Sequence, residues 1–218
     1  MPDLFPVWLS IRVSLAATAL TLVLGVPVAW VLARRRFPGR DFLASLVVTP
    51  LVLPPTVLGY YLLLVIGSRG PVGRLVERLG VPLAFTWRAA VLAACLGSIP
   101  LLIKAAQAGF ESVDPRLERA ARTLGRSEWS IFWSVTLPLA WRSVLAGTIL
   151  AFCRAFGDFG ITLMVAGSIP GLTQTLPLAI YDHVQANQMG EANALAALAV
   201  ATVVALLIGF GRLGRLRY

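Results

Sequence analysis

From Val13 to Ala33 the chain runs about 21 residues without a charged side chain, then stops on Arg34, Arg35 and Arg36. A stretch of that length suits a helix crossing a hydrocarbon core of roughly 30 Å, and the arginines suit a headgroup layer. Apolar runs of similar length follow over Phe42 to Gly67, about Thr86 to Phe110 with Lys104 near one end, about Ile131 to Gly157 interrupted by Arg142 and Arg154, and Ala192 to Gly211. Because 58% of the residues are hydrophobic and only 13% are charged, with a mean hydropathy of +0.81, the apolar surface cannot all be hidden in a water-soluble core and must face lipid. The expected fold is an all-α membrane protein of five full transmembrane helices plus a partial, short one. It forms a single transmembrane domain over 1–218, with no room for a separate soluble domain.

Two of the apolar runs are irregular. Phe42 to Gly67 contains Pro50, Pro54 and Pro55, which lack amide hydrogens, so the second span is expected to kink or break. Phe159 to Tyr181 is uncharged and long enough to cross, but Gly167, Pro170, Gly171, Pro177 and the polar Thr173, Gln174 and Thr175 predict a short helix followed by irregular backbone. Such backbone survives at membrane depth only where protein or a water-filled cavity covers it. With five crossings and the N-terminus outside, the loops holding Arg34 to Arg40 and Arg116 to Arg126 and the tail with Arg212, Arg215 and Arg217 all face the cytoplasm, whereas Arg69, Arg74 and Arg78 lie outside. The first ten residues, Met1 to Ser10, have no basic n-region, so no cleaved signal peptide is expected. The net charge of +9 does not point to nucleic acid, because the basic residues separate apolar spans and no aromatic-basic strip interleaves them. Cys95 and Cys153 sit in apolar runs and read as small buried hydrophobes.

The one strongly charged stretch, Glu111 to Ser130, reads as a helical loop outside the membrane, with Asp114 before Pro115 as cap and first turn. It contains Glu118-Arg119-Ala120-Ala121-Arg122-Thr123-Leu124-Gly125; nine residues further on comes Val135-Thr136-Leu137-Pro138. Small alanines let a helix approach a partner surface, Gly125 lets the backbone reverse, and flanking charges orient docking. The spacing resembles the cytoplasmic "EAA" loop of binding-protein-dependent ABC importer permeases, with the glutamate one place early at Glu118. Leu53-Pro54-Pro55-Thr56-Val57-Leu58-Gly59-Tyr60, Gly157-Asp158-Phe159-Gly160 and Thr173-Gln174-Thr175-Leu176-Pro177 are similar to the molybdate permease branch, with Asp158 where that branch carries glutamate.

The resemblance implies a type I ABC importer permease fold in the cytoplasmic (inner) membrane, moving molybdate, with tungstate or sulfate/thiosulfate as alternatives. It implies a homodimer, two cytoplasmic ABC ATPase subunits and an extracytoplasmic oxyanion-binding protein. Residues 111–130 become the coupling loop, with Asp114, Glu118, Ala120, Ala121, Gly125, Leu137 and Pro138 coupling to the ATPase. No Gly-x-x-x-x-Gly-Lys-Ser/Thr pattern occurs, so ATP and Mg belong to the partner subunit, and no cofactor, metal or catalytic residue is expected on this chain. A membrane-embedded enzyme would need a nucleophile-base cluster at a membrane face, and a secondary transporter would need internal repeats; neither is found.

Candidate pore or gate residues are Pro54, Pro55, Thr56, Tyr60, Arg154 and Asp158. Arg154 fits two roles, guide for a divalent oxyanion or ion pair with Asp158 one helical turn later near the outer end of its span. Lys104 and Arg142 are expected to snorkel to the cytoplasmic interface. His183 has no second ligand at helical spacing and is not expected to hold a metal.

Overall fold

The computed structural model describes residues 4–215, so the start of the expected N-terminal segment at Met1 and the tail residue Arg217 lie outside the described residues. In chain order the elements are α1 (Phe5–Arg34), α2 (Arg40–Val52), α3 (Pro55–Ile66), α4 (Pro71–Glu77), α5 (Trp87–Ser112), α6 (Pro115–Thr123), α7 (Glu128–Ile131), a π-helical turn (Phe132–Thr136), α8 (Leu137–Phe156), α9 (Gly160–Ala166), α10 (Leu176–Gln185) and α11 (Met189–Arg215). No strand occurs among the described residues.

Four helical runs are long and apolar enough to cross a membrane: α1, α5, the continuous run Glu128–Phe156, and α11 through Gly209. A fifth comes from α2 and α3 when the pair, bent by 113° at its break, is taken as one span. Their ends favour that arrangement. Arg40, opening α2, donates from Nε to the Leu32 carbonyl at 2.9 Å near the arginine end of α1. Ile66, closing α3, is buried in the apolar cluster that holds Leu9, Val13, Ala89 and Ala90 toward the opposite end. The break at Leu53-Pro54 follows from the prolines: without amide hydrogens on Pro54 and Pro55, the carbonyls of Pro50 and Leu51 have no donor four residues on, and the helix restarts in a new direction.

The first span is longer than its uncharged run. Helix α1 begins at Phe5 and takes in Arg12, whose guanidinium lies 5.3 Å from the Trp8 ring and 4.1 Å from the Trp87 ring. Stacking on two indoles lets the charge sit within a helix end at an interfacial depth.

Helix α5 is the central post, packed between α1 and α8. Small residues make the approach close: a Cβ on Gly109 would lie 2.4 Å from the Ser143 Cβ, and one on Gly147 would lie 2.9 Å from the Ala105 Cβ. Without a hydrophobic drive between helices in lipid, such backbone proximity is the main source of packing energy. These pairs make α5 and α8 antiparallel, with Gly109 level with Ser143 and Gly97 level with Arg154.

The segment from Phe159 to Tyr181 begins as its composition predicts, with the short α9 and an irregular stretch over 167–175, but from Leu176 the chain returns to a helix, α10, where irregular backbone was expected. Protein covers the two ends of the irregular stretch, while 169–172 are exposed. Thr173 is fully buried, accepts from the Ile169 amide at 3.1 Å and donates to the Gly167 carbonyl at 3.2 Å. Asp182 on α10 accepts from Ser168 and Gln174, and the Leu176 amide donates to Ser10 Oγ at 2.7 Å, tying α10 to α1.

Candidate functional site

At the arginine end of the bundle, α6 protrudes as a short helix with both termini capped. Asp114 accepts the Arg116 amide at 2.8 Å, with Pro115 in the first turn. At the other end the Arg126 amide reaches the Ala121 carbonyl at 3.3 Å and the Gly125 amide reaches the Arg122 carbonyl at 2.9 Å. This paired capping requires a left-handed residue, and Gly125 supplies it at φ +75°. The spacing from the alanine pair to Gly125 is therefore the length of a capped two-turn helix. Ala121 is buried against the bundle, whereas Ala120, Leu117, Leu124 and Gly125 face outward.

Glu118 does not belong to that outer face. Its side chain is 6% exposed, with Oε1 3.0 Å from the Arg34 guanidinium and accepting from Thr136 Oγ1 at 2.7 Å. The same Arg34 nitrogen donates to the Val113 carbonyl at 3.0 Å. One carboxylate thus binds α6 to the end of α1 and to the π-helical turn. Arg122 hydrogen-bonds Glu128 across the α6–α7 reversal, which raises its guanidinium pKa further above the ordinary value. Around these groups lies a cavity of about 250 Å³ lined by Trp30, Arg34, Glu118, Arg122 and Thr136, among others.

The π-helical turn accounts for Leu137-Pro138. The Leu137 amide bonds the Phe132 carbonyl five residues back instead of four, and Pro138, without an amide hydrogen, could not have served the Ser134 carbonyl. Widening the turn here aims Thr136 at Glu118 while Leu137 packs into the core beside Phe132 and Ala140. Leu137 therefore packs at the base of the protruding helix rather than on its outer face, and Pro138, exposed, opens the first turn of α8. The motif marked their positions; nothing in it indicated that Glu118 is buried.

The second cluster lies deep in the bundle. Arg154 Nη1 is 3.1 Å from Asp158 Oδ1, and the other Asp158 oxygen accepts the Thr162 amide at 3.0 Å and the Thr162 hydroxyl at 2.7 Å. The ion pair read from the four-residue spacing is present, but its depth differs from the expected outer end of the span. Arg154 is level with Gly97, ten residues along α5 from Trp87, or about 15 Å below that end at 1.5 Å per residue. The reason is that α8 stops at Phe156 inside the bundle and α9 completes the way to the far end, where the Phe85 amide bonds the Val165 carbonyl at 2.8 Å.

The breaks of the two discontinuous spans meet. A Cβ on Gly160 would lie 2.7 Å from Pro55 Cβ, and one on Gly59 would lie 2.6 Å from Met164 Cβ, so α3 and α9 run side by side from adjacent breaks. Pro54, Pro55, Thr56 and Tyr60 are exposed on the α3 side of this junction, and Asp158 is buried on the α9 side. Proline content signalled the first break; the second, at Gly157-Asp158-Phe159, had only a glycine to announce it.

The family described as "Binding-protein-dependent transport system inner membrane component" matches residues 23–215. The chain is 43% identical over 207 residues to the molybdenum transport system permease protein ModB of Escherichia coli K12, covering 94% of this chain and 90% of that one. It is 42% identical over 177 residues to the putative molybdenum transport system permease protein YvgM of Bacillus subtilis, covering 81% and 78%. With the sulfate transport system permease protein CysW of Synechocystis it shares 36% over 200 residues, covering 90% and 72%. Among solved structures, an inward-facing MetNI methionine ABC transporter superposes with a TM-score of 0.73 at 19% identity over 96% of this chain and 93% of that one. A bacterial alginate ABC importer gives 0.72 at 15% identity over 95% and 78%; at such identities the likeness speaks for the fold. With a family match across most of the sequence and the same helical architecture beneath it, the chain belongs to the binding-protein-dependent transport system inner membrane components, the multi-pass permease subunits of ABC importers.

Proposed function

We propose that this chain is the permease through which molybdate enters the cytoplasm, working as a homodimer with two ABC ATPase subunits below and an oxyanion-binding protein above. The observation that carries the reading is the 43% identity to a molybdenum permease over 94% of the chain. The arginine end faces the cytoplasm and the Trp87 end faces outward. ATP and Mg are bound by the ATPase subunits, and this chain contributes no catalytic group.

In this mechanism the outer face of α6, with Ala120 and Gly125, docks in a groove of the ATPase, while Asp114 keeps the helix intact. Closure of the ATPase dimer moves 114–127 as one body. Because Glu118 ties that body to Arg34 and Thr136, the movement passes to α1 and, through the π-helical turn, to α8. Helix α8 ends at the junction of the two breaks, so rotation there would change the opening around Pro54, Pro55, Thr56, Tyr60 and the Arg154–Asp158 pair, switching access at the dimer interface.

The 36% identity to a sulfate permease keeps sulfate as the second reading, since both ions are tetrahedral dianions. The deciding experiment reconstitutes the permease with its ATPase and binding protein in liposomes and follows ATP-driven uptake of labelled molybdate against excess tungstate or sulfate. Molybdate uptake suppressed by tungstate but not by sulfate is the expected result; uptake of sulfate alone would replace the substrate. No uptake of any oxyanion would overturn the reading.

A further inference from the structure

The sequence pattern expects Lys104 to snorkel to the cytoplasmic interface, and its surroundings point elsewhere. It lies on α5 seven residues before Glu111 and 17 after Trp87, about 10 Å in from the arginine end by the helical rise. In a helix the Cα–Cβ bond tilts toward the N-terminus. For α5 that direction leads away from the arginine end and deeper into the membrane. The side chain faces an open groove of about 540 Å³ shared with Ser45, Val48, Thr49, Val52 and Leu53 of the broken span.

Lys104 has no hydrogen bond or ion pair among the described residues, and the carboxylates that could neutralise it are engaged. Glu111 is held by Gln107 at 2.8 Å and by Arg40 at 3.5 Å, Asp158 by Arg154 and Thr162, and Asp41 stands exposed beside Arg40. An unpaired ammonium facing lipid is costly, and such residues face water-filled paths or polar partners instead. Helix α2, the opposite wall, buries none of its residues and places the Ser45 and Thr49 hydroxyls along the groove. Both hydroxyl hydrogens are given to carbonyls one turn back, at 2.8 and 2.9 Å. Ala44, Val48, Val52 and Leu53 make up the rest of that wall, and the ammonium is the groove's one charged donor.

The groove leads to the junction already described. Its deep end is Leu53, beside the break that packs on Gly160. Lys104 and Gly97 are seven residues apart and so share a face of α5, and Arg154 lies against Gly97 with its side chain 33% exposed. Two cations therefore follow one another along α5, about 10 Å apart along the helix axis.

We propose that Lys104, facing α2 across this open groove, forms a transient station for a tetrahedral dianion in the cytoplasmic half of the pathway, between the mid-membrane junction and the exit; this rests on the oxyanion-importer reading above. A single strongly hydrated ammonium without a cage of donors suits an ion that must leave, in contrast to a tight binding pocket. The test uses the reconstituted complex with its ATPase and loaded binding protein. Lys104→Gln is expected to lower molybdate uptake at least tenfold while binding-protein-stimulated ATP hydrolysis persists, and Lys104→Arg to recover most of the uptake. In a Cys95→Ser, Cys153→Ser background, Lys104→Cys should react with a cationic aminoethyl thiol reagent, which rebuilds a positive charge and restores uptake. An anionic sulfonatoethyl reagent should react without restoring it. Uptake by Lys104→Gln within twofold of wild type, or a thiol at position 104 unreactive in both nucleotide-free and ATP-trapped states, would overturn the station. Failure of both the Lys104→Gln and Lys104→Cys variants to assemble would also overturn it, by making Lys104 a structural group. A wild-type complex that imports no oxyanion sinks the functional reading itself, which separates the two failures.

Discussion

Glu118 sits where three elements converge, and its neutralisation tests the connection. Glu118→Gln keeps a partner for Thr136 but leaves Arg34, 14% exposed, without its counter-charge. Removing one member of a buried ion pair costs about 3–5 kcal/mol, whereas exchanging both for apolar groups is often neutral. Thermal unfolding in detergent should therefore show Glu118→Gln and Arg34→Gln markedly destabilised and the double variant Arg34→Met, Glu118→Leu less destabilised than their sum, yet short of wild type because Thr136 loses its acceptor and the Val113 carbonyl its donor. Single variants as stable as wild type would mean the pair does not hold α6 in place. The same logic separates the two roles of Arg154. Asp158→Asn strands a guanidinium at mid-depth and should impair assembly, and adding Arg154→Gln should restore it, because Thr162 still serves the amide at 158. If Arg154 also guides the anion, uptake by the assembled double variant stays several-fold below wild type; recovery to the full rate would confine Arg154 to its ion pair.

At the scale of elements, Gly125 separates backbone conformation from bulk. Its φ of +75° is strained for a side-chain-bearing residue, while nothing lies within 4 Å of where its Cβ would be. A left-handed conformation costs an ordinary residue about 1–2 kcal/mol, and asparagine tolerates it best. Gly125→Asn should consequently co-purify with the ATPase nearly as wild type, and Gly125→Val should lose the complex and ATP-driven uptake while the permease itself stays folded. Equal loss in both would point to crowding at a docked surface instead of the cap. Much of this element was legible in the sequence, because Asp114-Pro115 and Ala120-Ala121 followed by Gly125 are local signals whose meaning depends on few neighbours. The five apolar runs were legible for the same reason. What local patterns could not convey were facts of juxtaposition: Glu118 turned inward because Arg34, far earlier in the chain, waits there; the π-helical turn between Ile131 and Leu137 needed for Thr136 to reach it; and the depth of Arg154, which depends on where α8 stops against α5.

For the whole molecule, the direction of insertion can be argued from where the arginines end up. Arg34, Arg35, Arg36, Arg40, Arg116, Arg119, Arg122 and Arg126 gather at one end, while Arg69, Arg74 and Arg78 stand near the other. The structure adds Arg12 and Arg88 to the second group, narrowing the excess that loop sequences alone suggest. Arg12 lies over the Trp8 and Trp87 rings, however, and Arg88 is 5.9 Å from Trp87, so both belong to an aromatic belt at helix ends, where a basic group is compatible with either side of the membrane. The loop excess that governs orientation therefore still favours the α6 end inside. Arg78→Cys and Arg119→Cys, made singly in a background lacking Cys95 and Cys153, test it with a membrane-impermeant thiol reagent on intact cells. Labelling at position 78 from outside, with position 119 labelled only after the membrane is opened, is the expected pattern. The reverse would put α6 outside, where no cytoplasmic ATPase could reach it, and would remove the physical basis for coupling through Glu118 and Thr136.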